Sequence, residues 1–185
     1  MSANPQQKLW FDVVIDGVFN KGLGDRLTDS LRTELKALGM DLSRLAPAYP
    51  MDTVHRALQA AHRHLFPELS EAEALRELGR LSVRGYFDTF VGKAAVGMIR
   101  LIGVRRSLLR LHTTWRSGNN YVETTTSILG PTCIEISIND TSGMPTFWEG
   151  LLVEGANIAH AKNLRTTLLP APNPPAQTYR VEWTD

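Results

Sequence analysis

Residues 78–102, LGRLSVRGYFDTFVGKAAVGMIRLI, hold a helical period longer than any other part of the chain. Two stripes run along this stretch, each stepping alternately by four and three. One is Leu78, Ser82, Gly85, Thr89, Gly92, Val96, Ile99; the other is Val83, Phe87, Phe90, Ala94, Gly97, Leu101. A helix that is apolar around most of its circumference is a buried helix. The stretch therefore predicts one long central helix, Leu78 to Ile102, with the rest of the chain packed around it. Gly85, Gly92 and Gly97 each cost that helix roughly 1 kcal/mol relative to alanine. Tight backbone packing is the expected compensation, and a ligand lying against bare backbone is the alternative. The polar edge Arg76, Arg80, Arg84, Asp88 fades after Asp88, and from residue 89 to 103 only Lys93 and Arg100 are charged. The run is too short and too charged to cross a bilayer, which needs about 20 apolar residues.

A chain of 185 residues supports one domain with a sizeable core, and 43% apolar against 21% charged residues argues against wholesale disorder. A formal net charge of +1 argues against a dedicated nucleic-acid or membrane-surface binder. One cysteine, Cys133, excludes an internal disulfide and a cysteine-rich metal site. The start, MSANPQQKLW, lacks the basic and apolar segments of a signal peptide, so the expectation is a cytoplasmic protein. Residues 1–7 read as a disordered lead and 8–185 as a single domain.

Lys8 to Phe19 alternates, with Leu9, Phe11, Val13 and Ile15 on one face, which is the period of a half-buried strand. Asp25 to Leu38 reads as a helix closed by Gly39, and MDLSRLAPAYP reads as a loop. A helix follows over about Asp52 to Leu65, and Ser70 with Glu73 forms a capping box before the central helix. A fifth helix is expected from Gly103 to about Arg116. From residue 120 the period changes to two: Asn120 to Leu129 and Thr132 to Asn139, turned by Gly130-Pro131, read as a hairpin. Pro145 suits the first turn of a helix over Thr146 to Ala161. Leu164 to Leu169 and Thr178 to Trp183 read as the last strands. The fold class is α+β: a helical N-terminal half, then strand–strand–helix–strand–strand, with an antiparallel sheet of four to five strands. The helix over Thr146 to Ala161 carries small residues like the central one. The two stripes face each other, a second copy of the chain, or a cavity.

No motif names a reaction. His62 and His64 lie about 200° apart on a helix and cannot share a metal, and His55 and His62 lie two turns apart. Gly22-x-Gly24 lacks the third glycine and the lysine of a phosphate loop, and no G-x-S-x-G elbow is present. Cys133, with Glu135 on the same strand face, has no thiolate-stabilising neighbour. Arg105, Arg106 and Arg110 read as a solvated face or an anion-facing patch. The segment from Trp115 through Arg116, Asn119 and Asn120 joins the helical half to the sheet; it is either a turn or the lining of a cleft. The histidines read as surface or half-buried; a haem ligand is possible in principle for any of them, and His112, beside Trp115 near the end of the fifth helix, is the one to test.

Three segments carry a family resemblance: LGRLSVRGYFDTFVGKA, WRSGNNYVETTTSILGP and FWEGLLVEGANIAHAKN. With GMDLSRLAPAYP and LFPELSEAEALRELG, they resemble an uncharacterised domain family of about this length found in myxobacteria. The resemblance covers nearly the whole chain. It brings no catalytic residue and implies a sensory or regulatory role, since the family occurs in many paralogous copies. More distantly, the element order is similar to the 4-vinyl reductase domain, the haem nitric-oxide/oxygen sensor domain and TRAPP tethering subunits. The sensor's Tyr-x-Ser-x-Arg signature is absent; the nearest string runs from Tyr86 to Phe90. The sequence therefore names no cofactor.

The resulting expectation is a non-enzymatic, cytoplasmic sensory domain that binds a small, largely apolar ligand between the central helix and the sheet. Arg84, Tyr86, His112, Arg116 and Asn119 are the expected polar contacts, and Phe87, Phe90, Trp115 and Trp148 the walls. A ligand-free module, acting as a homodimer or as a scaffold for a signalling partner, is the alternative. An enzyme of unknown class comes third.

Overall fold

The computed structural model describes residues 7–88, 90–171 and 173–184, with positions 90–92, 94, 112 and 113 described for their backbone alone. Strand β1 (Leu9–Phe11) pairs antiparallel with β2 (Ala48–Pro50). Helix α1 (Asp12–Ile15) runs on as a π-helical segment, Asp16–Gly22. Then come α2 (Asp29–Ala37), α3 (Met51–Leu65), α4 (Glu71–Asp88), α5 (Phe90–Leu109) and α6 (Leu111–Arg116). The second half is β3 (Thr124–Gly130), β4 (Cys133–Ile138), α7 (Pro145–Ile158), β5 (Lys162–Leu168) and β6 (Gln177–Thr184). These last strands form an antiparallel sheet in the order β3-β4-β6-β5. The α+β class and the order of the second half are those expected.

Local signals explain many boundaries. The Ser70 amide and hydroxyl donate to Glu73 while the Glu73 amide donates back to Ser70 Oγ, closing the capping box ahead of α4. Gly39 has φ +90° after α2, where a glycine C-cap belongs. Pro145 opens α7. In β4 the isoleucines 134, 136 and 138 are buried, and in β6 Tyr179, Val181 and Trp183 are buried, as their alternation requires.

Two expectations are corrected. Lys8 to Phe19 is not one strand. The alternation holds for three residues, after which Asp12 Oδ1 accepts the Val13 amide and the chain turns into helix. Ile15, Val18 and Phe19, a helical triplet, are the buried set, and Val13 is exposed. The expected loop before Asp52 contains β2, whose partner is β1. The helix expected over Leu78 to Ile102 is helical on both sides of Thr89, which lies outside the described residues; α4 and α5 name the two described stretches. The expected lead over 1–7 falls on residues 1–6, also outside them; the Gln7 carbonyl accepts a hydrogen bond from Asn120 (2.9 Å).

Helices α4 and α7 do face each other, but through Gly79 and Gly150, which lie in neither of the small-residue stripes; a Cβ on Gly155 of the α7 stripe would meet nothing within 4 Å among the described residues. A Cβ on Gly79 would fall on the Phe147 carbonyl, and a Cβ on Gly150 would fall on the Arg76 carbonyl. A Cβ on Gly85 would overlap the backbone of Gly22 at the end of the π-helical segment. Glycine is present because backbone occupies the space a side chain would need. Helix α7 thus lies between α4 and the sheet. Glu149 joins all three layers: one carboxylate oxygen takes Arg76 of α4 (2.7 Å) and the other takes the Thr166 hydroxyl of β5 (3.0 Å).

Candidate ligand-facing region around α5

Among the described side chains of α5, burial is uneven. Val104 and Leu108 are buried, while Met98 is 61% and Leu101 86% exposed. An apolar helix was expected to be buried, and at Met98 and Leu101 it is not, although α5 approaches both α4 and α7. Gly103, with φ +77° and ψ 172°, breaks the helix between the exposed and the buried parts. The Ser107 hydroxyl spans the break, donating to the carbonyls of Gly103 (2.9 Å) and Ile99 (3.4 Å). No atom lies within 4 Å of a Cβ placed on Gly97 or Gly103, in contrast to the glycines of α4.

Beyond α5 an aromatic cluster links the two halves of the chain. The Trp115 ring of α6 meets Trp148 of α7 edge-on at 5.1 Å. Trp148 in turn stands 6.2 Å from Trp10 and 6.3 Å from Phe147. The indole of Trp148 donates to the Thr141 carbonyl (3.3 Å) and that of Trp10 to the Tyr121 hydroxyl (2.9 Å), so both buried donors are satisfied. Trp115 is the half-buried, outermost member.

The sequence-selected residues fall into distinct settings. Tyr86 and Phe87, at the end of α4, stack edge-on at 5.1 Å. Arg84 grips Glu154 of α7 through Nε (2.8 Å) and Nη2 (3.1 Å), and Arg80 adds a 3.3 Å contact to the same carboxylate. Burial pushes the Glu154 carboxyl up, but Arg84 first and Arg80 second outweigh it and hold the carboxyl below its ordinary value. Asn119 is buried: its side-chain oxygen accepts the amides of Tyr121 (3.2 Å) and Val122 (2.7 Å), and its amide donates to Trp115 (2.9 Å). It builds the turn between α6 and the sheet. Arg116 is exposed on α6, and the side chains of Phe90 and His112 lie outside the described residues. The structure brings Trp115, Trp148 and Asn119 together, and Tyr86 with Phe87.

The acidic partners on α7, Glu149 and Glu154, escaped sequence reasoning, as did the exposed pair Met98 and Leu101. Arg76, Arg80 and Arg84, one helical turn apart, were the available signal: three cations on one line ask for acids opposite. Two surface depressions are also present. One, about 490 Å³, is lined by Lys8, Met51, His55, Asp140 and Ser142 among others; the other, about 200 Å³, lies beside Lys36 and Asp41. Neither is lined by a residue selected from the sequence. Among the described residues, no helix is long and apolar enough to cross a membrane, and no group of three or more His, Cys, Asp or Glu could hold a metal ion.

The model of a family described as "Protein of unknown function (DUF2378)" matches residues 8–184. No curated protein matches the chain in sequence. Solved structures of H-NOX domains match nearly its whole length. One, from work on the molecular mechanism of H-NOX activation, is 16% identical, with 95% of this chain and 97% of that chain covered and a TM-score of 0.70. An oxygen-binding H-NOX domain related to soluble guanylate cyclases is 14% identical, with 93% and 94% covered and a TM-score of 0.66. A third, from work on haem distortion in the H-NOX family, is likewise 14% identical, with 93% and 94% covered and a TM-score of 0.66. At such identities the likeness establishes the fold alone, which is that of the H-NOX domain.

Proposed function

The chain belongs to the DUF2378 family, and from that premise we propose that it is a non-enzymatic sensory or regulatory domain whose α5 region receives a small, largely apolar ligand. The observation that carries the reading is the uncovered apolar face of α5, Met98 and Leu101, on a fold shared with ligand-binding sensors. Apolar side chains this exposed gain roughly 25 cal/mol per Å² when covered. In this reading Trp115, with Trp148 behind it, is the inner wall, Tyr86 and Phe87 the rim at the end of α4, and Arg116 an exposed cation on α6. Phe90 and His112, whose side chains lie outside the described residues, join the set on their sequence positions alone. Arg84 and Asn119, whose hydrogen bonds are spent on Glu154 and on the turn, shape the region and leave ligand contact to the others.

Haem, which the H-NOX likeness brings to mind, finds no ligand among the described side chains of α5, and the side chain of His112 in α6 lies outside them. Helix α5 contains no histidine, cysteine or tyrosine, and its one thioether, Met98, points to solvent. His62 bonds the Leu69 carbonyl and His64 bonds Glu34, both away from α5. The ligand proposed here needs no metal. The carboxyls held below their ordinary values, Glu34, Asp41, Glu73 and Glu154, are bound to cations or to a capping serine, which is the setting of structural acids and supports a non-catalytic reading.

Native mass spectrometry and an absorption spectrum of the freshly purified protein test this, followed by titration with the apolar fluorophore 1-anilinonaphthalene-8-sulfonate. Saturable one-to-one binding that is lost in Leu101→Glu is expected. An unliganded mass together with no saturable fluorophore binding would sink the reading. A second reading, in which a signalling partner or another copy covers α5, is favoured by how far Leu101 projects. It predicts that Leu101→Glu dissociates a complex and leaves small-molecule binding unaltered.

A further inference from the structure

The β3-β4-β6-β5 sheet has two edges, and they are built differently. Strand β5 carries exposed Lys162 and Arg165, and its register slips between them, with Asn163 at φ +49°. Charge, a bulge and a left-handed residue are the devices that keep an edge from pairing with another strand. Strand β3, TTTSILG, has none of them over Thr124 to Ile128: no charge, no proline and no shift of register. Its far end exposes Ile128 (50%) and Leu129 (53%).

The outward hydrogen-bonding groups of β3 can be assigned. The Asn139 amide donates to the Glu123 carbonyl (3.0 Å), which makes Glu123 and Asn139 a hydrogen-bonded pair. Antiparallel pairs alternate, so Thr125 and Ser127 turn their backbone groups to β4. Thr124, Thr126 and Ile128 turn theirs to the outer edge, where no strand among the described residues pairs with them.

We propose that β3 is a dimerisation edge and that its occupant is β3 of a second copy, antiparallel across a two-fold axis at Thr126. This goes beyond the α5 reading and stands without it. The occupant must be an extended strand, because it has to meet alternating N–H and C=O groups at strand spacing. A second copy suits it because β3 is uncharged and meets itself without repulsion, as an isologous interface requires. β5 would bring Lys162 and Arg165 toward their own copies. With Thr126 on the axis, Thr124 pairs with Ile128 of the second copy and Thr125 with Ser127. Each Glu123 falls opposite Leu129, so the two flanking carboxylates stay apart. The two sheets become one continuous sheet.

Sedimentation velocity across a concentration series tests the proposal on the intact chain. The unmodified protein is expected to reach twice its 20.6 kDa mass. Thr126→Pro removes an outward N–H and none of the bonds to β4; it is expected to weaken the dimer at least about tenfold, roughly 1.4 kcal/mol, with thermal stability nearly unchanged. Thr126→Lys provides a second variant with an intact backbone donor and the same expected loss. In the unmodified protein, the amides of Thr124, Thr126 and Ile128 should exchange more slowly as concentration rises, while Leu101→Glu leaves the dimer in place. A monomer at every concentration, the result expected if an unrelated peptide owns this edge, would overturn the proposal. So would a dimer that both Thr126 variants leave intact.

Discussion

Helices α4 and α5 read alike in sequence, with small residues at the same alternating spacing, yet one meets its neighbours through backbone and the other meets solvent. Along α4, Gly79 and Gly85 admit the chains of α7 and of the π-helical segment, and three arginines close the seam on Glu149 and Glu154. Along α5, a Cβ on Gly97 would meet no other part of the described residues within 4 Å, and Met98 and Leu101 stand exposed. The difference teaches that a small-residue stripe has no meaning of its own. It marks a contact only where a second element supplies a matching gap and the charges to hold the register.

The sharpest way to break the contrast is Gly150→Ala. Its Cβ would enter the Arg76 carbonyl, where backbone on both sides cannot yield, and a loss of about 3 kcal/mol or more is expected in denaturant unfolding. Glu154→Gln comes next. Leaving Arg84 and Arg80 with only their longer contacts to Glu77 (3.7 and 3.6 Å) costs about 1–2 kcal/mol, because both arginines are a third or more exposed and solvent screens the pair. The loss depends on pH. Glu154 has a depressed folded value, so its contribution is complete above its ordinary value of 4.5 and disappears as pH falls through the lower one. The gap between wild type and variant should therefore be widest near neutrality and close in acid. Gly97→Ala is the smallest effect and has the opposite sign. With open space at the Cβ, a gain of about 0.5–1 kcal/mol in thermal unfolding is expected. A loss there would mean that α5 is covered in solution.

The fold was legible wherever one residue type carries one meaning. The isoleucines of β4, the capping box before α4 and Pro145 at the start of α7 each specify an element through local chemistry alone. The start of the chain was less legible because Leu9, Phe11, Val13 and Ile15 fit a strand while Ile15, Val18 and Phe19 fit a helix, and tertiary burial chose the second. The functional region was the least legible. Trp115 and Trp148 could be named as aromatic, but their edge-on meeting depends on α6 folding back beside α7. The exposure of Leu101 depends on what fails to cover α5, and no local pattern encodes that. Glu149 and Glu154 sit among apolar residues of α7, where their arginine partners, some 70 positions earlier, give them their purpose.

Gly103 divides α5 into two arms, and its φ of +77° means that the helical ladder is already interrupted there. The far arm therefore joins the near one, held by Val104 and Leu108, without a continuous helical ladder across the joint. The Ser107 hydroxyl, reaching the carbonyls of both Gly103 and Ile99, is the latch across that joint. A molecule settling on Met98 and Leu101 would sit on the arm before that joint, across the Ser107 hydroxyl from the part of α5 held in the core.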